Sequence, residues 1–268
     1  MGRNIKEKIK SMNKPLFTPV VDATVPQKIW DHEAILISYK KNPIPDNRHV
    51  NRKRQLIIVE SGGFLTNAPK TPYECLMHQI RAFPDIVLTL DIPPKRLQEK
   101  TGKEPTLQDK REAVRITNLN AKIALKLRER FIEEYDWNFE LMGVIQSYDM
   151  RSMINSTYYL KDLDYGMYAF GSSPTKGRTL IDKELAIMYL KEIREIIGKE
   201  AWLHWLGVMS VGLLKEAKPY ITSFDAASIT RLAAYGKVWG GKSPYYDILN
   251  IKGFNNAITT YERELWNY

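Results

Sequence analysis

Short apolar runs recur along the chain at residues 34–39, 56–60, 85–91, 141–146, 166–171, 201–208, 220–225 and 233–239, each bounded by polar or glycine-containing segments. Runs this short and this apolar fit strands buried on both faces, and stretches of helical period lie between several of them. The alternation predicts an α/β fold with a parallel sheet, and eight strands is the number that closes a (β/α)8 barrel of the TIM type. Two helices can be read in detail. Thr106-Leu-Gln-Asp109 resembles a capping box, and within 107–134 the residues Ile116, Leu119, Ile123, Leu127 and Phe131 fall at spacings of three and four, predicting one long amphipathic helix with that face inward. Asp182 is placed to cap a second helix that turns Leu185, Met188, Ile193 and Ile197 inward, with Gly198 at its stop. The charged stretch 93–105 reads as a loop or extra turn after the third strand, on the side where barrel enzymes keep their active sites.

Length agrees with one such domain: 268 residues hold a barrel and little else. The organisation read from the sequence is a basic arm over 1–15, a barrel over 16–240 and a closing segment over 241–268. The formal net charge of +9 attracts polyanions and makes nucleic acid a natural partner, although a lysine-rich solvated surface explains it equally. The arm carries Arg3, Lys6, Lys8, Lys10 and Lys14, either frayed or touching phosphate. The lone Cys75 excludes an internal disulfide or a cysteine-cluster zinc site within the chain and reads as a small core residue, and the four histidines include no His-x-x-x-His pair. No cofactor is expected. With no apolar run of about 18 residues and no apolar segment after the basic start, the expectation is a cytoplasmic protein, neither secreted nor membrane-spanning.

The carboxyl ends of barrel strands share one cavity, so polar residues that end apolar runs are the candidates for chemistry. Here they are Glu60, Asp91, Gln146 and Asp225. Each alone reads as easily as a loop start or helix cap; the four together point to a pocket holding three carboxyls and an amide. Glu60 runs into Ser61-Gly62-Gly63-Phe64, where paired glycines let backbone approach a ligand and Phe64 offers a flat face.

These segments resemble the tRNA-guanine transglycosylase family over roughly residues 19–239. Glu60-Ser-Gly-Gly-Phe64 is similar to the family's Asp-Ser-Gly-Gly-aromatic motif, and Leu90-Asp91-Ile-Pro-Pro94 to its strand-ending aspartate segment. Gly143-Val-Ile-Gln146 resembles Gly-Ile-Val-Gln, Tyr168-Ala-Phe-Gly171 the glycine-bearing fifth-strand motif, and Leu206-Gly-Val208 a Met-Gly-Val segment. Phe224-Asp225 and Thr230-Arg231 keep the family's separation.

The resemblance implies that Asp225 is the nucleophile attacking C1′ of the target nucleoside and that Glu60 carries the proton to the leaving base and from the incoming one. It implies that Asp91, Gln146, Ser61 and backbone at Gly171 bind the edge of the base, while Phe64 and Leu206 cover its faces. Arg231, Lys176 and Arg178 are the candidates for nucleic-acid contacts. The chain departs from the family in carrying Glu60 for aspartate, which moves the carboxyl by about 1.5 Å. It also has none of the cysteines of the family's zinc subdomain and no added RNA-binding domain. A compact zinc-free member resembles the branch found in phages and mobile elements that places 7-deazaguanines in DNA, so DNA is favoured as substrate. tRNA is the alternative, as is a non-catalytic subunit of a transglycosylase complex; a homodimer is left open. A glycoside hydrolase using Glu60 and Asp225 is disfavoured by the expected apolar walls of the pocket.

Overall fold

Eight parallel strands close into a barrel in the computed structural model, which describes residues 15–21, 32–37, 55–63, 69–98, 103–171, 175–176, 180–208 and 210–226. The barrel strands are β1 (Leu16–Val21), β2 (Ala34–Ile37), β3 (Leu56–Val59), β4 (Ile86–Leu88), β5 (Glu140–Ile145), β6 (Met167–Phe170), β9 (Trp202–Trp205) and β10 (Ser223–Ala226). Their order around the ring is β1-β10-β9-β6-β5-β4-β3-β2. A small antiparallel pair, β7 (Thr175–Lys176) and β8 (Leu180–Ile181), follows β6. The helices are α1 (Pro72–Gln79), α2 (Pro94–Leu97), α3 (Leu107–Tyr135), α4 (Met150–Asp162), α5 (Lys183–Ile197) and α6 (Val211–Ala217).

Alternation along the strands divides the core in two. Leu16, Leu36, Ile58, Leu88, Val144, Ala169 and Trp202 belong to a cluster built from strand residues and fill the barrel. Their neighbours in sequence, among them Phe17, Ile37, Val59, Ile145, Phe170 and Phe224, pack outward with helix residues such as Leu76, Phe131, Leu160 and Leu190. Both faces of the sheet are dry, which is why the strands read as unbroken apolar runs.

Seven of the eight expected runs contain barrel strands, and the eighth strand is a different one from that expected. The ring is closed by β1 pairing with β10, Leu16 beside Ser223 and Pro19 beside Ala226, so 233–239 is not one of the eight; that segment lies outside the described residues. β1 was overlooked because Pro19 removes a ladder donor and argues against a strand. Pro19 sits where β1 passes from pairing with β10 to pairing with β2 at Val20 and Val21.

The long helix begins at the expected cap: Thr106 accepts from the Asp109 amide and Asp109 accepts from the Thr106 amide. Its expected inner face holds in part: Phe131 is buried and Ile116 and Leu127 pack against the core, but the stripe is shifted. Leu119 and Ile123 are 41% and 36% exposed, and the buried positions are Ala113, Thr117, Asn120, Ala121, Ala124 and Phe131. The reason is polar: Asn120 Nδ2 donates to Leu90 O at 3.0 Å, and Thr117 Oγ1 accepts from Ile92 N at 2.9 Å. The inward stripe is spent on holding a loop. In α5, Asp182 caps by accepting from the Leu185 amide and Gly198 ends the helix as expected, but Met188 is 50% exposed; Ala186, Tyr189, Leu190 and Ile193 take the inward positions. Cys75 is a buried core residue beside Leu90 and Ile92. Among the described residues no helix is long and apolar enough to cross a membrane.

Candidate active site

Strand register places four of the expected site residues in one row. Ile145 lies beside Phe170, Phe170 beside Trp205 and Trp205 beside Phe224. The next residue on each strand is Gln146, Gly171, Leu206 and Asp225, one step further toward the carboxyl ends. Backbone pairing carries on at that level, with Leu206 N donating to Phe170 O and Val208 N to Asp225 O, both at 2.9 Å. A Cβ built on Gly171 would lie 3.0 Å from a Leu206 methyl, so the glycine exposes its backbone beside an apolar wall. Gln146 is buried, and its amide has no hydrogen-bond partner among the described residues.

Asp225 is buried on the same row. Its Oδ1 accepts from the Gly207 amide at 2.9 Å and lies 3.2 Å from His204 Nε2, whereas Oδ2 has no hydrogen-bond partner among the described residues. Gly207 reaches this position with φ +70°, a left-handed conformation that glycine adopts at little cost. One oxygen is tethered and the other is available.

A second group forms beyond β3 and β4. β4 ends at Leu88, and the following loop, gripped by Asn120 and Thr117 on either side of Asp91, presents that carboxylate to Ser61. Ser61 Oγ donates to Asp91 Oδ1 at 2.5 Å and accepts from Gly63 N at 3.1 Å. Burial pushes the Asp91 carboxyl above the usual range, against the opposing effects of the Ser61 hydrogen bond and Arg96. The Cys75 thiol donates to Ser61 O at 3.6 Å, and its pKa is raised mainly by burial and also by the negative charge of Asp91 and Glu60. Glu60 follows Val59 at half burial, and strand alternation puts it on the inner face with Leu56 and Ile58.

Two residues fix this corner. A Cβ on Gly63 would collide with Asp91 O and lie 2.5 Å from Asp91 Oδ1. Gly63→Ala is expected to displace Asp91 and cost about 1–3 kcal/mol, read from the shift in a urea midpoint. Gln79, 0% exposed, directs Nε2 to Leu88 O at 2.8 Å, Glu60 O at 3.1 Å and Val59 O at 3.3 Å, clamping the ends of β3 and β4 together. Gln79→Leu leaves those buried carbonyls short of a donor and is expected to lower stability by about 1–3 kcal/mol. Loss of cooperativity or a wild-type midpoint would contradict the clamp.

Of the remaining expected residues, Phe64, Arg178 and Arg231 lie outside the described residues, and Lys176 is placed only as backbone in β7. Among the described residues no group of three or more His, Cys, Asp and Glu side chains is arranged to hold a metal. Sequence reasoning missed His204, although the two-residue period from Leu206 points it into the barrel. No protein-family model matches the chain, and no curated protein matches it. The arrangement itself offers a carboxylate with one unpaired oxygen, a buried carboxyl whose pKa is raised by burial, a free amide and an apolar wall.

Proposed function

We propose that the protein exchanges a guanine in a polynucleotide for a 7-deazaguanine, and that its barrel is a (β/α)8 barrel of the tRNA-guanine transglycosylase type. The observation that carries this reading is the row of Gln146, Gly171, Leu206 and Asp225, with Asp225 tethered through one oxygen only. On the described residues β3, β4, β5, β6 and β9 are each followed by a helix before the next barrel strand, as the (β/α)8 reading requires.

In this reaction an Asp225 oxygen bonds to C1′ as the C1′–N9 bond breaks and its electron pair leaves with guanine. Glu60 gives the departing base its proton. The incoming 7-deazaguanine passes a proton to Glu60 and attacks C1′, and the C1′–O electron pair returns to Asp225. Asp91, Ser61, Gln146 and the Gly171 backbone read the polar edge of the base, and Phe64 and Leu206 enclose its faces. No step calls for a metal. Removing the base from its stack costs a few kcal/mol in a duplex, and less in a loop.

DNA is the favoured polymer, on the resemblance to the compact DNA-modifying branch. The net charge of +9 supports a polyanionic partner. Arg111 and Arg151 also face a cleft of about 430 Å³ beside the loop following Gln146, whose lining includes Asp149 as well as Val114, Tyr148, Ser152 and Asn155. The reading places the protein in the cytoplasm with its nucleic acid. The test is incorporation of labelled guanine into duplex DNA and bulk tRNA in parallel, with 7-deazaguanine as competitor. Label in DNA alone establishes the favoured substrate, and label in tRNA alone replaces it. Label in neither overturns catalysis by this chain alone and leaves a binding subunit.

A further inference from the structure

The inner faces of β9 and β10 carry a polar column that runs to Asp225, and its other members, Trp202, Ser223 and His204, have no part in the base exchange proposed for that carboxylate. Trp202 Nε1 donates to Ser223 Oγ at 2.7 Å, Ser223 Oγ lies 2.7 Å from His204 Nδ1, and His204 Nε2 lies 3.2 Å from Asp225 Oδ1. His204 and Ser223 are both 0% exposed. An apolar residue at either position would suit a barrel interior without the cost of burying polar atoms, so packing alone gives no reason for the column.

The chemistry of the donors gives it a direction. An indole N–H can only donate, so Trp202 occupies one lone pair of Ser223 Oγ; the Asp225 carboxylate can only accept, which calls for a donor at His204 Nε2, and Nδ1 is then the acceptor for the serine hydrogen. The imidazole proton then sits on Nε2, aimed at Asp225 Oδ1, the oxygen that also accepts from the Gly207 amide.

We infer that His204 is the positioning residue of Asp225: with the Gly207 amide it holds Oδ1, leaving Oδ2 as the atom that attacks C1′. This rests on the base-exchange reading. The Oδ2–C1′ bond forms as C1′–N9 breaks, with guanine taking the electron pair and a proton from Glu60. In the return step the Oδ2–C1′ pair goes back to the carboxylate. Oδ1 accepts throughout, first as half of a carboxylate and then as the ester carbonyl, so its two donors keep Oδ2 aimed and stabilise the carboxylate as it departs.

The test compares wild type, His204→Leu and His204→Gln in labelled-guanine exchange, using whichever of duplex DNA and bulk tRNA the wild type accepts. Gln can bring an amide N–H to the place of Nε2. His204→Leu is expected to lower kcat about 10- to 100-fold, the range for losing a hydrogen bond to a charged group, with KM for guanine nearly unchanged. His204→Gln is expected to restore most of the rate. Equal rates in all three, or equal losses in both variants, overturn the inference, since a merely structural role would not separate Leu from Gln.

A second measurement depends on neither activity nor the folding of a variant. The ¹⁵N spectrum of histidine-labelled wild type is expected to show a buried imidazole protonated on Nε2 only, and a proton on Nδ1 overturns the relay. Should wild type exchange no guanine while Nε2 carries the proton, the base-exchange reading and the attack by Oδ2 fall together, and the tether on Asp225 stands.

Discussion

Asp225→Ala is expected to abolish guanine exchange, by about 10⁴-fold or more, while the barrel stays folded. On the proposed mechanism the substitution removes the atom that would bond to C1′, and no other described carboxylate shares its row at the ends of β5, β6, β9 and β10. Folding survives because Asp225 belongs to neither apolar cluster. The cost is the two donors at Gly207 and His204 left without an acceptor, about 1–3 kcal/mol each. Asp225→Asn separates chemistry from packing: the side-chain oxygen can still accept, the negative charge is gone, and exchange is expected to fall as far with less loss of stability. Both variants are assayed for incorporated label and for polynucleotide that stays attached to the protein on a denaturing gel. Full exchange by Asp225→Ala would show that the nucleophile lies elsewhere.

Asp91→Asn is expected to move stability and activity in opposite directions. Burial raises the Asp91 carboxyl pKa in the folded chain, so the folded state keeps this proton to higher pH than the unfolded state does. The stabilising contribution is fully present below the ordinary carboxylate range and is lost as pH rises through the folded value. Asparagine does not titrate and its oxygen still accepts from Ser61. The variant is therefore expected to be more stable than wild type at neutral pH, by roughly 0.5–2 kcal/mol, and to match it more closely in acid, as read from urea unfolding at the two pH values. Base exchange is expected to drop about 10³-fold in kcat/KM, because an amide N–H would meet the N–H edge of the base where a carboxylate accepts. In wild type those same N–H donors favour the ionised carboxyl, so base affinity should rise with pH across the window in which Asp91 ionises. A pH-independent affinity would remove Asp91 from base recognition.

The strands were legible because both faces of the sheet are buried, leaving unbroken apolar runs such as Leu56–Val59 that periodicity detects. The exception is β1, Leu-Phe-Thr-Pro-Val-Val, whose Thr18 and Pro19 break the apolar run in the middle. The faces of α3 and α5 were less legible. Apolar spacing assumes that the inward side is the greasier side, and in α3 it is Thr117 and Asn120 that face in because a loop needs their hydrogen bonds. Three of the expected strand-end residues, Glu60, Gln146 and Asp225, could be placed from strand position alone. Asp91 could not: it lies three residues past the end of β4 and owes its position to α3 and to Gly63. His204 escaped notice because a histidine inside an apolar run carries no motif, and only the pairing of β9 with β10 brings it to Ser223 and Asp225.

The hydrogen bond from Thr18 Oγ1 to Phe224 O joins residues 206 positions apart, and it lies on the seam where the first strand meets the last. Contacts so distant in sequence are slow to form, since the whole intervening loop must be closed before they contribute. Asp225 sits on that seam, beside Thr18. Asp225 therefore joins the row of Gln146, Gly171 and Leu206 only when β10 pairs with β9 and β1. On the proposed base exchange, a chain that has not yet closed this seam lacks its nucleophile in place.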